Sequence, residues 1–244
     1  MRNHLENIEN GAADLPEAGP FEIDEHSVLI VSGIKPMTVV AFAGAVEGYG
    51  WQNRLRRLGV HGICLKDTSF RWYLDGADGT GSEHAMLEVI KDHIERAGNP
   101  RLGVLGQSAG GYAALKYGPV LGADVICTFC PQTHSLTQSK MAGKLQQLPD
   151  ALPDVREGLK DRSGKQPQID IFVSMSEDAN PPEAFLWDDH AHIFGLEDIP
   201  GLMIHIVDYD RHAVAVHLSK TGMLQKVLEQ VFGLQDHNID LDQL

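Results

Sequence analysis

The segment RLGVLGQSAGGYAALKYG, residues 101 to 118, places Ser108 between small residues, after an apolar run and before a helix-like one. Gly106-Gln107-Ser108-Ala109-Gly110 is a G-x-S-x-G pattern, which between a strand and a helix lifts the serine onto a sharp, strained turn. Small residues two before and two after it are needed because the strand and helix backbones approach closely there. The helix beyond aims its first amides and its dipole at the serine, which favours a developing oxyanion. The chemistry such a position permits is nucleophilic attack. A tight glycine turn with an incidental serine is the competing reading, and the strand before and helix after weigh against it.

A serine hydroxyl needs a base, and the base needs an orienting acid. The chain has 12 histidines, so position must choose among them. The last apolar strand-like run ends near Tyr209, and His212 follows in the loop; it is the expected base. His205 lies inside the run and is expected to pack, while His217 on the following apolar turn is the weaker alternative. The acid is sought in the loop after the run at 169–175, where Asp178 is favoured and Glu177 is the alternative. Either carboxylate could instead cap the helix that Asn180-Pro181-Pro182 opens. Asp188 and Asp189 lie further on, in a helix by their pattern, beside His190 and His192. Two histidines two apart on a helix do not converge on one ion, so no metal is expected there.

An oxyanion hole takes two amides. One is the N–H of Ala109. The other is expected from the small residues that open "AGAVEGYGWQNR" at Ala43, with Ala45 favoured and Gly44 the alternative.

These residues need a frame to hold them. Strand candidates run at 21–23, 27–33, 38–44, 62–68, 102–106, 124–129, 169–175 and 202–209. Several are apolar without alternation, the mark of strands buried on both faces of a parallel sheet. Helical patterns lie between them at 51–59, 82–98, 109–118 and 220–233. The pattern at 82–98 puts Ala85, Met86, Val89, Ile90, His93 and Ile94 on one face, with Ser82 as N-cap and Gly98 as C-terminal stop. Strand alternating with helix predicts a doubly wound, mostly parallel eight-stranded α/β sheet. Residues 1–20, polar and acidic, read as a loose arm. Residues 21–244 read as one domain, in which 131–167 forms a small helical cap insertion.

Two further features bear on ligands. In "SFRWYLDGADGTG" (69–81), a loop at the catalytic edge of the sheet, Arg71, Trp72 and Tyr73 could line a substrate pocket together with Gln107, Arg71 holding a carboxylate or phosphate. Equally, the aromatics could anchor the loop while Arg71 pairs with a nearby Asp. Asp75 and Asp78 lack the spacing of an EF-hand and read as solvated turn. A net charge of −14 disfavours nucleic acid and anionic membranes as partners. The expected partner is a small acyl substrate, and no cofactor is implied. Cys64 and Cys127 fall in apolar runs, and the single CxxC formed by Cys127 and Cys130 lacks both a second ligand pair and a redox context. With no secretory leader and no long apolar span, a reducing cytoplasm is the expected setting.

Over residues 21 to 233 the chain resembles the α/β-hydrolase superfamily: eight candidate strands, the elbow after the fifth, an acid after the seventh and a histidine after the eighth. The resemblance implies a Ser–Asp–His hydrolase acting on an ester, thioester or amide. "KDTSFRWYLDG" followed by "GQSAGGYAALKYG" is also similar to a group of small bacterial hydrolase-like proteins, a short match that names no substrate. No HGGG motif occurs in the oxyanion loop, which argues against the hormone-sensitive-lipase type. An acyltransferase with the same triad and a non-catalytic binding protein on the same fold are the other readings.

Overall fold

In the computed structural model the apolar runs become β1 (Glu22–Ile23), β2 (Leu29–Val31), β3 (Met37–Phe42), β4 (His61–Leu65), β5 (Arg101–Gln107), β6 (Val125–Phe129), β7 (Gln168–Ser174) and β8 (Leu202–Val207). The structure describes residues 21–44, 46, 48–134, 152–160, 166–174, 189–209, 212–235 and 241. The strands form one sheet in the order β1-β2-β4-β3-β5-β6-β7-β8. The six from β4 to β8 run parallel, and β2 joins them antiparallel through Leu29↔Cys64 and Val31↔Gly62. The predicted doubly wound, mostly parallel sheet is therefore the observed one.

Successive residues of a strand enter opposite core layers. Val40 and Phe42 of β3 pack in one layer with Ile63, Leu65 and Val104, while Val39 and Ala41 pack in the other with Cys64, Leu105 and Cys127. The first layer is covered by α2 (Glu83–Ala97) through Met86 and Ile90 and by α3 (Ala109–Tyr117) through Tyr112 and Ala113. The second is covered by α1 (Gln52–Leu58) through Leu55 and Leu58, joined by α6 (Val214–Lys220) and α7 (Leu224–Val231). Both faces of the inner strands β3, β5, β6 and β7 are covered, which is why these strands lack alternation. Ser82 caps α2 by accepting from the Ala85 N–H, and Gly98 ends it in a left-handed conformation, φ 63°.

The helix expected at 220–233 is α7 alone. It is preceded by α6, which the sequence pattern missed because Thr221-Gly222, with Gly222 at φ 77°, breaks the helical run. Within the expected cap, α4 (Val155–Lys160) packs on α3; residues 135–151 and 161–165 lie outside the described residues. The remaining helix among the described residues is α5 (Asp189–Ile193), between β7 and β8.

Candidate active site

Ser108 sits at φ 55°, ψ −119°, between the end of β5 and the first residue of α3. A non-glycine residue there is strained by ~1–3 kcal/mol and persists only where its surroundings over-determine it. Those surroundings are backbone. A Cβ on Gly106 would lie 2.0 Å from the Gly110 carbonyl oxygen, and one on Gly110 would lie 2.2 Å from that of Phe42 and 2.5 Å from that of Ala43. The strand, the helix and the end of β3 thus meet without room for a side chain, as the G-x-S-x-G spacing requires. The Ser108 N–H donates to the Phe129 carbonyl at 2.9 Å, tying the turn to the end of β6. Ser108 is 7 % exposed.

His212 follows β8, and its Nδ1 lies 2.8 Å from Oδ1 of Asp189, the first residue of α5. Among the described residues the carboxylate that pairs with His212 is Asp189; the favoured Asp178 lies outside the described residues together with Glu177. Asp189 reaches His212 from fifteen residues beyond Ser174, at the start of α5. Asp189 is buried and its second oxygen is also held: Oδ2 accepts from the Ser174 hydroxyl at 2.7 Å and the Ser174 N–H at 3.3 Å. The Cys130 thiol donates to the same carboxylate. Burial pushes the Asp189 carboxyl up, but the His212 hydrogen bond and charge, with Ser174 and Cys130, outweigh it and hold it below the ordinary carboxylate range.

In the sequence Cys130 is only the second half of a CxxC. It stands directly after β6 at φ 46°, next in the chain to the residue whose carbonyl holds Ser108. Its sulfur and ligand atoms of Asp189 and His212 lie within 4.8 Å of one another, the group among the described residues that could hold an ion. Burial first, then the Asp189 charge, push the thiol well above its usual range, so it stays protonated and donates. The partner of the CxxC, Cys127, is fully buried, and all three cysteines are free.

The loop after β3 begins at Ala43 and Gly44, and a Cβ on Gly44 would lie 3.1 Å from the Gln107 carbonyl oxygen. This loop therefore lies against the elbow. Ala45 is outside the described residues. The Ala109 N–H is the first amide of α3 and has no intrahelical acceptor.

The loop after β4 differs from a pocket wall. Tyr73 is fully buried, and its phenol bonds the Ala43 and Leu65 carbonyls. Trp72 is 6 % exposed and its indole N–H donates to Oε1 of Gln132. Arg71 forms a surface ion pair with Asp75 at 3.0 Å. The expectation that Trp72 and Tyr73 line a substrate pocket is corrected: both are turned into the body, because each has a polar tip that finds a buried acceptor there.

His192, one turn after Asp189, accepts the Thr133 N–H at Nδ1, 3.2 Å away, and its carbonyl accepts the Thr133 hydroxyl at 2.7 Å. Burial, with His134 beside it, lowers its pKa to about 4, so its ring is neutral. His205 packs as expected, with Nε2 2.7 Å from Oδ1 of the fully buried Asp170 and its ring stacked on Phe172.

The chain has the α/β-hydrolase fold. It is similar to the capsule O-acetyltransferase of Neisseria meningitidis serogroup A, with TM-score 0.56 and 16 % identity over 92 % of this chain and 98 % of that one. It is likewise similar to the Paleococcus ferrophilus monoacylglycerol lipase, with TM-score 0.55 and 11 % identity over 84 % and 97 %. The bacterial brefeldin A esterase matches with TM-score 0.55 and 14 % identity over 93 % and 80 %. No protein-family model and no curated protein matches the sequence. Structures of this α/β-hydrolase fold therefore include both hydrolases and an acyl-transferring enzyme. No helix among the described residues is long and apolar enough to cross a membrane.

Proposed function

We propose that this chain is a serine hydrolase that cleaves a carboxylic ester or related acyl bond through an acyl-enzyme. The observation that carries the reading is a strained serine at a strand-to-helix turn, together with His212, which follows β8 and pairs with the buried Asp189 at the start of α5. In the first step His212 takes the Ser108 proton while Oγ bonds the acyl carbon. The tetrahedral oxyanion is met by the Ala109 N–H and an amide of the loop after β3, Ala45 or Gly44. Collapse breaks the bond to the leaving alcohol, and His212 returns the proton to it. Water then attacks the acyl-enzyme by the same route and restores Ser108. Asp189 holds the imidazole with its proton on Nδ1 throughout.

The net charge of −14 fits a small-molecule substrate better than a nucleic acid. Three free thiols fit a cytoplasmic setting. The reading takes residues 21–244 as one domain with a cap near 131–167 facing the substrate.

A second reading replaces water by an alcohol acceptor, and the similarity to a capsule O-acetyltransferase favours keeping it. The test is labelling by a fluorophosphonate, followed by p-nitrophenyl acetate turnover with and without glycerol. Labelling that disappears in Ser108→Ala and falls sharply in His212→Ala supports the activated serine. Acetyl glycerol formed in place of acetate would move the assignment to transfer. A folded chain that takes no label would remove both readings.

A further inference from the structure

Tyr73 stands where the loops after β3 and β4 meet. Its phenol lies 2.9 Å from the Ala43 carbonyl oxygen and 3.2 Å from that of Leu65, so its single proton is shared, with the closer contact to Ala43. The preceding carbonyl, of Phe42, accepts the Trp51 indole N–H at 3.1 Å. The two donors come from opposite core layers, Tyr73 from one and Trp51 from the other. Two successive carbonyls at the end of β3 are thus clamped by two buried aromatic donors. What they clamp is the backbone already seated against Gly110 and Gln107 on either side of Ser108.

The turn that carries Tyr73 is strained. Phe70, Trp72 and Tyr73 have φ of 55°, 56° and 61°, a region costly for bulky side chains. Asp67, 4 % exposed, over-determines that turn. Its carboxylate accepts the N–H groups of Ser69 at 3.1 Å, Arg71 at 2.8 Å and Tyr73 at 3.0 Å, and the Ser69 hydroxyl as well. Tyr117 donates to the Tyr73 carbonyl at 2.8 Å. Burial pushes the Tyr73 phenol well above its ordinary pKa, so it remains a donor. Three bulky residues forced into left-handed backbone deliver one O–H to the carbonyls that end β4 and follow β3, next to Gly44.

We propose that Tyr73 is a positioning residue for acyl transfer: its phenol fixes the Ala43 carbonyl and so holds the oxyanion-binding amide of the β3 loop in register with the Ala109 N–H. The inference rests on Ser108 being the nucleophile. Because an oxyanion exists only in the transition state and the tetrahedral intermediate, loosening this loop slows the chemical step and leaves ground-state binding alone.

The test is Tyr73→Phe, which keeps the ring in its edge contact with Phe42, centroids 5.1 Å apart, and removes only the donor. Fluorophosphonate inactivation is followed over a range of probe concentrations, giving the limiting rate and the half-saturating concentration separately. The limiting rate is expected to fall about tenfold, with half-saturation within twofold of the parent. A limiting rate within twofold of the parent, even with a lowered unfolding temperature, overturns the proposal and leaves Tyr73 a structural residue. Should Tyr73→Phe not fold, Asp67→Asn loosens the same turn while keeping the phenol. The same selective loss of limiting rate is then expected, and its absence likewise overturns the proposal. Failure of the underlying reading looks different: the parent chain itself takes no label, or Ser108→Ala labels as the parent does. The positioning role falls with it in either case.

Discussion

Replacing Asp189 by Asn tests which carboxylate serves His212, and the structure sets the size of the effect. One carboxylate oxygen faces His212 Nδ1 at 2.8 Å and the other faces both the Ser174 N–H and the Ser174 hydroxyl. An asparagine must choose. The Ser174 backbone N–H can only donate, so the amide oxygen of Asn turns to it and the amide NH2 faces His212. Nδ1 must then accept, which moves the imidazole proton to Nε2. A ring protonated at Nε2 cannot take the Ser108 proton. The expected loss is roughly 10³- to 10⁴-fold in the acylation rate, about 4 to 5.5 kcal/mol of barrier, with little change in overall shape. The assay is the limiting rate of fluorophosphonate inactivation, with near-ultraviolet circular dichroism as the control for packing. Asp178→Asn run beside it is expected to stay within threefold of the parent. If Asp189→Asn stays within tenfold while Asp178→Asn takes the large loss, the Asp189–His212 pair is structural and the argument fails.

Gly110→Ala puts a Cβ 2.2 Å from the Phe42 carbonyl oxygen, so β3 or α3 must move; labelling should be lost, with stability falling by roughly 1–3 kcal/mol in urea melts. Parent-like labelling of Gly110→Ala would mean that the elbow is not the tight junction described. His192 makes stability depend on pH in a stated direction. Its pKa is about 4 in the fold against an ordinary 6.5, so the unfolded chain binds the proton more readily. Its contribution is full above pH 6.5 and is lost as pH falls from 6.5 to 4, by about 3 kcal/mol at most. His192→Gln should shrink the difference in urea stability between pH 7 and pH 4.5; an unchanged difference would place the pH dependence elsewhere, His61 and His134 being the other histidines that burial lowers.

What could be read from the chain was whatever the chain itself encodes locally. Apolar runs without alternation announced strands buried on both faces, and Gly106, Gly110 and Ser108 announced the elbow, because neighbours in sequence create that crowding. His212 was legible because its loop directly follows a strand. Asp189 was not, since it reaches the site from α5, fifteen residues past Ser174, and no periodicity ranks it above Asp178. Trp72 and Tyr73 carry the same ambiguity in another form: an aromatic with a polar tip suits a ligand wall and a buried anchor equally, and only the acceptors on Gln132 and Ala43 decide. Cys130 goes furthest. As a sequence feature it was half of a CxxC. In space it joins the Ser108 turn, through the Phe129 carbonyl, to the carboxylate that holds His212. Its type gives no hint of this, because a thiol buried for packing and a thiol buried as a donor look alike until the acceptor is in place. The residues that hold the reacting groups, more than those groups themselves, are set by contacts between strands far apart in the chain, and a single sequence is blind to them there.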